Sequence, residues 1–288
     1  MYIKDIFSSK KPVLSFEVFP PKQNNKIDSV KTAVEQMSKL PIDYMSVTYG
    51  AGGSTSKNTA QIAEYMQNSL DVTALAHFTC ISVSKDDTKD MLCDLKNRGI
   101  KNILALRGDI PAGCDFPLEN GYRYASELIS DIKDFGGFCV GGACYPECHP
   151  DSPSLSADIE NLKIKADAGC DFLVTQMFFN NDAFYTFRDL CLKKGINLPI
   201  TAGIMPLTNA GQIEKMCILS GGASMPSKFT RMISKYIDKP EALKQAGIAY
   251  AVDQIIDLIS NDIDGIHIYT MNKPETAEKI VNVINNLF

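Results

Sequence analysis

Several things are missing from these 288 residues, and each absence closes off a class of protein. No apolar run reaches the ~18 residues of a membrane span, so no membrane partner is expected. The opening stretch, MYIKDIFSSKKP, has no apolar segment of the kind a secretory signal carries. No long run of Lys or Arg occurs. With 29 basic against 34 acidic residues the net charge is −5, the wrong sign for gripping phosphate backbones, so no nucleic-acid partner is expected. The nine cysteines are odd in number and contain no Cys-x-x-Cys pair. Most stand in apolar stretches, which suits free thiols in a reducing cytosol and speaks against a disulfide framework or a structural zinc. A cytoplasmic location is therefore expected. Also absent are a Walker loop, His-x-His or His-Glu-x-x-His spacing, a Gly-x-Ser-x-Gly elbow and the kinase signatures.

What is present is a regular alternation. Apolar, strand-like runs lie at 13–20, 43–50, 73–80, 102–109, 138–146, 172–179, 199–206 and 265–272. Helical patterns follow them at 25–40, 58–70, 86–98, 122–135, 156–168, 182–194, 210–220 and 274–287, with Ser156 as a predicted N-cap and Pro274 in a first turn. A further helical insertion at 226–260 precedes the eighth strand. Strands apolar nearly throughout are buried on both faces, and strict alternation predicts a parallel sheet with right-handed crossovers. Eight units of roughly 36 residues predict an α/β fold, a (β/α)8 TIM barrel, as a single domain over 1–288. The rival, an open doubly wound sheet, usually shows a glycine-rich turn after its first strand. Here that turn is FPPKQN.

In such a barrel the C-terminal strand ends build the site. Those ends carry Glu17, Thr48 with Tyr49, His77, Arg107 with Asp109, Tyr145 through His149, Gln176, and Tyr269 with Asn272 and Lys273. Glu17 is the sharpest of them. Burial in an apolar strand favours the protonated form of a carboxyl group, and a protonated carboxyl can act as a general acid. The structural alternative is an ion pair between Glu17 and Arg107. Arg107-Gly108-Asp109 could place a guanidinium on a phosphate and a carboxylate on a ring N–H, or form only a strand-end salt bridge. The segment 50–55, GAGGST, could offer backbone N–H groups to an anion or be a plain tight turn. His77 and His149 converge with other polar groups, whereas His267, between Ile266 and Ile268, reads as a core residue. Imidazoles and carboxylates could also hold a metal, which leaves a metal-dependent barrel lyase or hydrolase as the alternative function, although no local ligand motif supports it. A non-catalytic scaffold is the third reading, and a buried Glu17 argues against it.

Taken together, the motifs resemble one family. Ser15-Phe16-Glu17-Val18-Phe19-Pro20-Pro21-Lys22, Val47-Thr48-Tyr49-Gly50-Ala51-Gly52-Gly53, Leu106-Arg107-Gly108-Asp109, Tyr145-Pro146-Glu147-Cys148-His149-Pro150, Thr175-Gln176-Met177-Phe178-Phe179, Gly203-Ile204-Met205-Pro206 and Tyr269-Thr270-Met271-Asn272 occur in the order found in the methylenetetrahydrofolate reductases. The resemblance spans essentially the whole chain. It implies non-covalently bound FAD and NADH or NADPH as hydride donor. It implies reduction of 5,10-methylenetetrahydrofolate to 5-methyltetrahydrofolate, with Glu17 as general acid and Asp109 near flavin and pterin. It further implies FAD contacts from Thr48, Tyr49, Ala51, His77, Arg107, Gly108, Asp109, Ala125, Tyr145, His149, Asp158, Asn161 and Lys165. Folate contacts would come from Gln176, Gln212, Tyr269 and Lys273. Asp158, Asn161 and Lys165 share a helical face.

Two departures stand out. Lys273 replaces a frequent arginine and offers a point charge in place of a bidentate fork. Met216 stands where an aromatic is expected to stack on the substrate. The chain stops at the barrel, so allosteric control by S-adenosylmethionine is not expected. A homo-oligomer is expected, with 226–260 as a contact surface.

Overall fold

The computed structural model describes residues 1–21, 26–49, 56–81, 83–110, 116–219 and 224–288. Eight parallel strands close into a barrel in sequence order: β1 (Val13–Val18), β2 (Tyr44–Val47), β3 (Thr73–Thr79), β4 (Asn102–Leu106), β5 (Cys139–Cys144), β6 (Phe172–Thr175), β7 (Ile200–Ile204) and β8 (Gly265–Tyr269). Closure pairs β1 with both β2 and β8, setting Glu17 beside Ser46 on one side and Tyr269 on the other.

The helices are α1 (Ile3–Ser9), α2 (Ile27–Met37), α3 (Ser56–Ser69), α4 (Lys85–Asn97), α5 (Ala125–Phe135), α6 (Leu155–Asp167), α7 (Asn181–Lys193), α8 (Gly211–Leu219), α9 (Ser227–Tyr236), α10 (Pro240–Ser260) and α11 (Pro274–Ile284). The outward faces of the strands and the inward faces of the ring of helices form one continuous apolar core. In α11 the buried side chains Ala277, Ile280, Val281 and Ile284 follow the helical period, and Pro274 stands in the first turn, where its missing N–H costs nothing.

The predicted barrel and insertion are both present. The insertion is two helices, α9 and α10, broken before Pro240. The strands are shorter at their C-terminal ends than their apolar runs suggest. β4 stops at Leu106, so Arg107, Gly108 and Asp109 lie in the following loop. Likewise Thr48, Tyr49, Gln176 and Asn272 lie just beyond strands. Gly108 adopts φ +88, a conformation that turns the backbone over the barrel mouth and that glycine adopts most readily. Ser156 is not the N-cap of α6. Ser154 is, its hydroxyl accepting from the Ala157 N–H, because the helix starts at Leu155, two residues before the start a Ser156 cap implies.

One element was absent from the sequence reading. α1 closes the N-terminal end of the barrel, burying Ile3, Ile6 and Phe7 against Tyr44, Leu75, Leu104, Cys139, Phe172 and Val174. At 7 residues it is too short to hold itself, and the barrel holds it. Asn102, wholly buried at the start of β4, is the clamp. Its Oδ1 accepts from Ile3 N at 2.8 Å, and its Nδ2 donates to Met1 O and Ala74 O, both at 3.1 Å.

Asn102→Ala leaves a buried N–H and a buried carbonyl without partners, a loss of about 1–3 kcal/mol. Thermal melting is expected to fall by several degrees. Ligand affinity at the opposite end of the barrel should be unchanged.

Candidate active site

A cavity of about 1350 Å³ opens at the C-terminal mouth. That exceeds the range typical of a single drug-sized ligand, roughly 300–1,000 Å³. Every described residue predicted for the site lines it, from Glu17, Thr48 and Tyr49 on β1 and after β2 to Tyr269 and Lys273 at and beyond the end of β8. Ala51 lies outside the described residues, as does the rest of 50–55. Met216 is a correction. It is wholly buried between α8 and the insertion, in a cluster with Met205, Leu207 and Phe229, and does not line the cavity. Met177, Met205 and Met271 supply the sulfur-bearing wall instead.

Glu17 is the only acidic side chain buried among the described residues. The predicted alternative partner, Arg107, is elsewhere. It pairs with Asp151 at 2.8 Å. Two imidazoles flank Glu17 instead, with His77 Nε2 and His267 Nε2 each 3.5 Å from its Oε2. Burial is the larger effect on His77 and pushes its pKa down to about 4, while the Glu17 carboxylate pulls the other way. His77 is therefore neutral at pH 7.

His267 is a core residue, as predicted, but its neighbours give it a second part. Its Nδ1 lies 2.7 Å from Ser15 Oγ and its Nε2 3.4 Å from Ser46 Oγ. These three residues were not proposed for the site. A period-two pattern of polar residues inside the apolar runs of β1, β2 and β8 is the signal that could have found them. The backbone beside Glu17 is fixed as well. Thr270 Oγ1 donates to Glu17 O at 2.7 Å, and Asn272 accepts from Phe19 N and donates to Phe19 O, each at 2.9 Å.

Around the mouth, α6 presents Asp158, Asn161 and Lys165 to the cavity on one face, as the spacing predicts. Asp158 also shapes the loop after β5, accepting from His149 N and from the Ser152 hydroxyl, both at 3.0 Å. Lys165 donates to Ala143 O, and burial lowers its pKa. Burial lowers the His149 pKa too, aided by the Arg107 guanidinium. The Tyr145 ring meets His149 edge-on at 4.6 Å, and burial followed by the Asp109 charge raises its phenol to about 12.

On the other side, Gln212 is held by its oxygen. Oε1 accepts from Thr208 N at 2.7 Å, Thr208 Oγ1 at 2.9 Å, Asn209 N at 3.0 Å and Asn209 Nδ2 at 3.2 Å. Its Nε2 is buried without a partner in the cavity wall, a donor left for a ligand. Lys273 donates to Thr208 Oγ1 at 3.1 Å beside it. Tyr269 spends its hydroxyl on Thr175 O at 2.8 Å, so the ring is what it offers. Gly203 permits this, since a Cβ there would strike Thr175 O and the Tyr269 ring. Among the described residues no three His, Cys, Asp or Glu side chains are grouped to hold a metal.

The family model for methylenetetrahydrofolate reductase matches residues 2–285. This chain belongs to that family. The relative named 5,10-methylenetetrahydrofolate reductase in Escherichia coli (strain K12) is 33% identical over 271 residues, covering 94% of this chain and 90% of its own length. Arabidopsis thaliana "Methylenetetrahydrofolate reductase (NADH) 1" is also 33% identical, over 99% of this chain but 50% of its own length. Among solved structures, a Clostridium thermocellum protein described as binding two copies of 5-methyl-5,6,7,8-tetrahydrofolic acid superposes with a TM-score of 0.70 over the full length of both chains. At 15% identity it speaks for the fold alone. Family membership accounts for motifs scattered over seven strand ends that meet at one mouth.

The depressed His77 pKa has a consequence for stability. In the unfolded chain His77 takes up a proton near pH 6.5, and in the folded protein only near pH 4. The unfolded state thus binds more protons across that window, and stability falls as pH drops from about 6.5 to 4, by up to about 3 kcal/mol. Denaturant unfolding at a series of pH values measures this, and His77→Asn should flatten that slope.

Proposed function

We propose that this chain is a flavin-dependent oxidoreductase that reduces 5,10-methylenetetrahydrofolate to 5-methyltetrahydrofolate with NADH or NADPH as donor. The observation that carries the reading is Glu17, the lone buried carboxyl among the described residues, between two imidazoles in a cavity roomy enough for a cofactor and a second ligand in turn.

The wall suits FAD. Arg107 and Lys165 bring positive charge to one side of the mouth, where a diphosphate would lie. Thr48, Tyr49, Ala51, His77, Gly108, Asp109, Ala125, Tyr145, His149, Asp158 and Asn161 complete the proposed cofactor set. Bound there, the flavin would supply the hydride chemistry, accepting from the nicotinamide and delivering to the folate. The chain's own residues do the rest. Glu17 protonates a nitrogen of the imidazolidine ring so that it opens to a reactive iminium, and the neutral His77 imidazole puts no positive charge beside the carboxyl to hold it ionised. Asp109, which lines the cavity, holds the pterin. Gln212 Nε2, fixed by four hydrogen bonds to its oxygen, donates to the folate. Lys273 takes a tail carboxylate, Gln176 reaches pterin or nicotinamide, and the Tyr269 ring packs against the substrate.

The visible spectrum of the purified protein before and after anaerobic NADH is the first test. A flavin band that bleaches supports the reading, and a colourless protein that takes up no FAD overturns it. Glu17→Gln should keep flavin and still be reduced by the nicotinamide, while folate reduction falls by about 10²–10⁴-fold. Loss of flavin, or folate reduction at the unaltered rate, would remove Glu17 from that role. Gln212→Ala should raise KM for the folate with little change in kcat.

A further inference from the structure

The insertion between β7 and β8 touches the barrel mouth at one unusual point. α10 carries a buried glycine in its interior, Gly247, where alanine would hold a helix better. Packing accounts for the choice. A Cβ on Gly247 would stand 1.9 Å from Leu207 O and 2.8 Å from Leu207 C, in the loop after β7. Those are backbone atoms, which cannot swing aside as the end of a flexible side chain can. The backbone of α10 thus rests directly on the Leu207 peptide, and the Leu207 side chain is itself buried, in a cluster with Met205, Met216 and Leu243.

The same face of α10 holds the neighbouring loop. Tyr250 and Gln254 follow Gly247 at i+3 and i+7. Tyr250 Oη donates to Phe179 O at 2.7 Å, and Gln254 Nε2 donates to Phe178 O at 3.0 Å. The Phe229 ring of α9 stands 4.8 Å from the Phe179 ring and 4.7 Å from the Tyr250 ring. One helix face therefore fixes the backbone of two loops, and both loops line the cavity. The loop after β6 carries Gln176 and Met177. The loop after β7 runs from Leu207 into Thr208, whose N–H and hydroxyl both donate to Gln212 Oε1 and whose Oγ1 accepts from Lys273.

We propose that Gly247 is a positioning residue for the substrate side of the cavity, acting through Leu207 and Thr208 on Gln212 and Lys273, with Tyr250 and Gln254 setting the loop that bears Gln176. The inference rests on the reading of Gln212 and Lys273 as folate contacts given above. Seating α10 on Leu207 fixes where Thr208 stands. Thr208 supplies two of the four hydrogen bonds to Gln212 Oε1, so its place decides where the free Nε2 points. An added methyl at 247 forces the helix and the Leu207 peptide apart and carries Thr208 with it. The groups proposed for the flavin come from the ends of β2 to β5 and from α5 and α6, so they keep their places.

The chain has eight glutamines, so ¹⁵N-glutamine labelling of the purified protein gives a readable set of side-chain amide signals. The Gln212 pair is the one that Gln212→Ala removes. In Gly247→Ala that pair should shift, with the pair of Gln67 on α3 unmoved. KM for the folate should rise about fivefold, the scale of one net hydrogen bond, with kcat little changed and FAD affinity unaltered. Placed on top of Gln212→Ala, the same substitution should raise KM hardly further, because changes that act through one contact do not add. A merely structural glycine would lower the melting temperature and leave KM alone, or add its effect equally in both backgrounds. An unmoved Gln212 pair, or an equal KM rise in both backgrounds, overturns the proposal. Should Gly247→Ala not fold, Tyr250→Phe decides. It keeps the ring, loses the bond to Phe179 O and should move the Gln176 pair, and an unmoved pair overturns the proposal. A shifted Gln212 pair in a protein that reduces no methylenetetrahydrofolate would sink the functional reading and leave this one standing.

Discussion

A carboxyl group held in the wall of an apolar barrel must be surrounded by groups that tolerate either of its protonation states, and Glu17 shows how much of the structure that demands. Its neighbours come from β3 and β8, its backbone is fixed by Thr270 and that of Phe19 beside it by Asn272, and the imidazole on one side is kept neutral by its own burial. A cationic partner would lock the group as a carboxylate. Arg107 is kept away from it, committed to the far wall and to Asp151. The closed β1–β8 seam is thus also the seam that places the buried carboxyl, because the register that closes the barrel sets Ser15 beside His267 and Glu17 beside Tyr269.

The barrel was legible because both faces of every strand are buried, and eight apolar runs separated by helical periods leave few other architectures. The site was legible for a different reason. Strand ends are where an apolar run first admits polar residues, so Glu17, His77, Arg107 and Tyr145 stood out one by one. Their meeting at one cavity is a property of closure, and the family resemblance anticipated it where local spacing could not. Three things escaped. α1 has only 7 residues, and its burial comes from the barrel end it covers, not from its own pattern. The strand ends were drawn too long because Arg107 and Gln176 follow apolar runs without a break in hydropathy. The part played by His267 was hidden because a histidine between two isoleucines looks the same whether it only fills a core or also touches a carboxyl.

Met216 illustrates the limit of carrying a residue over by position. The helix that bears it packs against the insertion, and the side chain turns into that contact. The methionines that do face the cavity, Met177, Met205 and Met271, lie on or beside strand ends, where the barrel geometry and not the α8 helix sets direction. Unbranched thioethers there can adjust to a flat ring arriving from solution, which a rigid aromatic wall could not do as readily.

The two sides of the cavity differ in how firmly they are set. Around Glu17 the partners are buried and drawn from the strands themselves, so the carboxyl is placed before any ligand arrives. Across the mouth, Arg107 is partnered by an Asp151 side chain that is 62% exposed. An ion pair so open to water contributes little to stability, and an incoming anion can take the place of that carboxylate at small cost. Gln212 combines both properties, its oxygen fully engaged and its nitrogen free. The Glu17 carboxyl is thus fixed by the barrel, and the groups suited to anchoring a ligand are left exchangeable. Such an arrangement lets one bound molecule be exchanged for another while the buried carboxyl keeps its position.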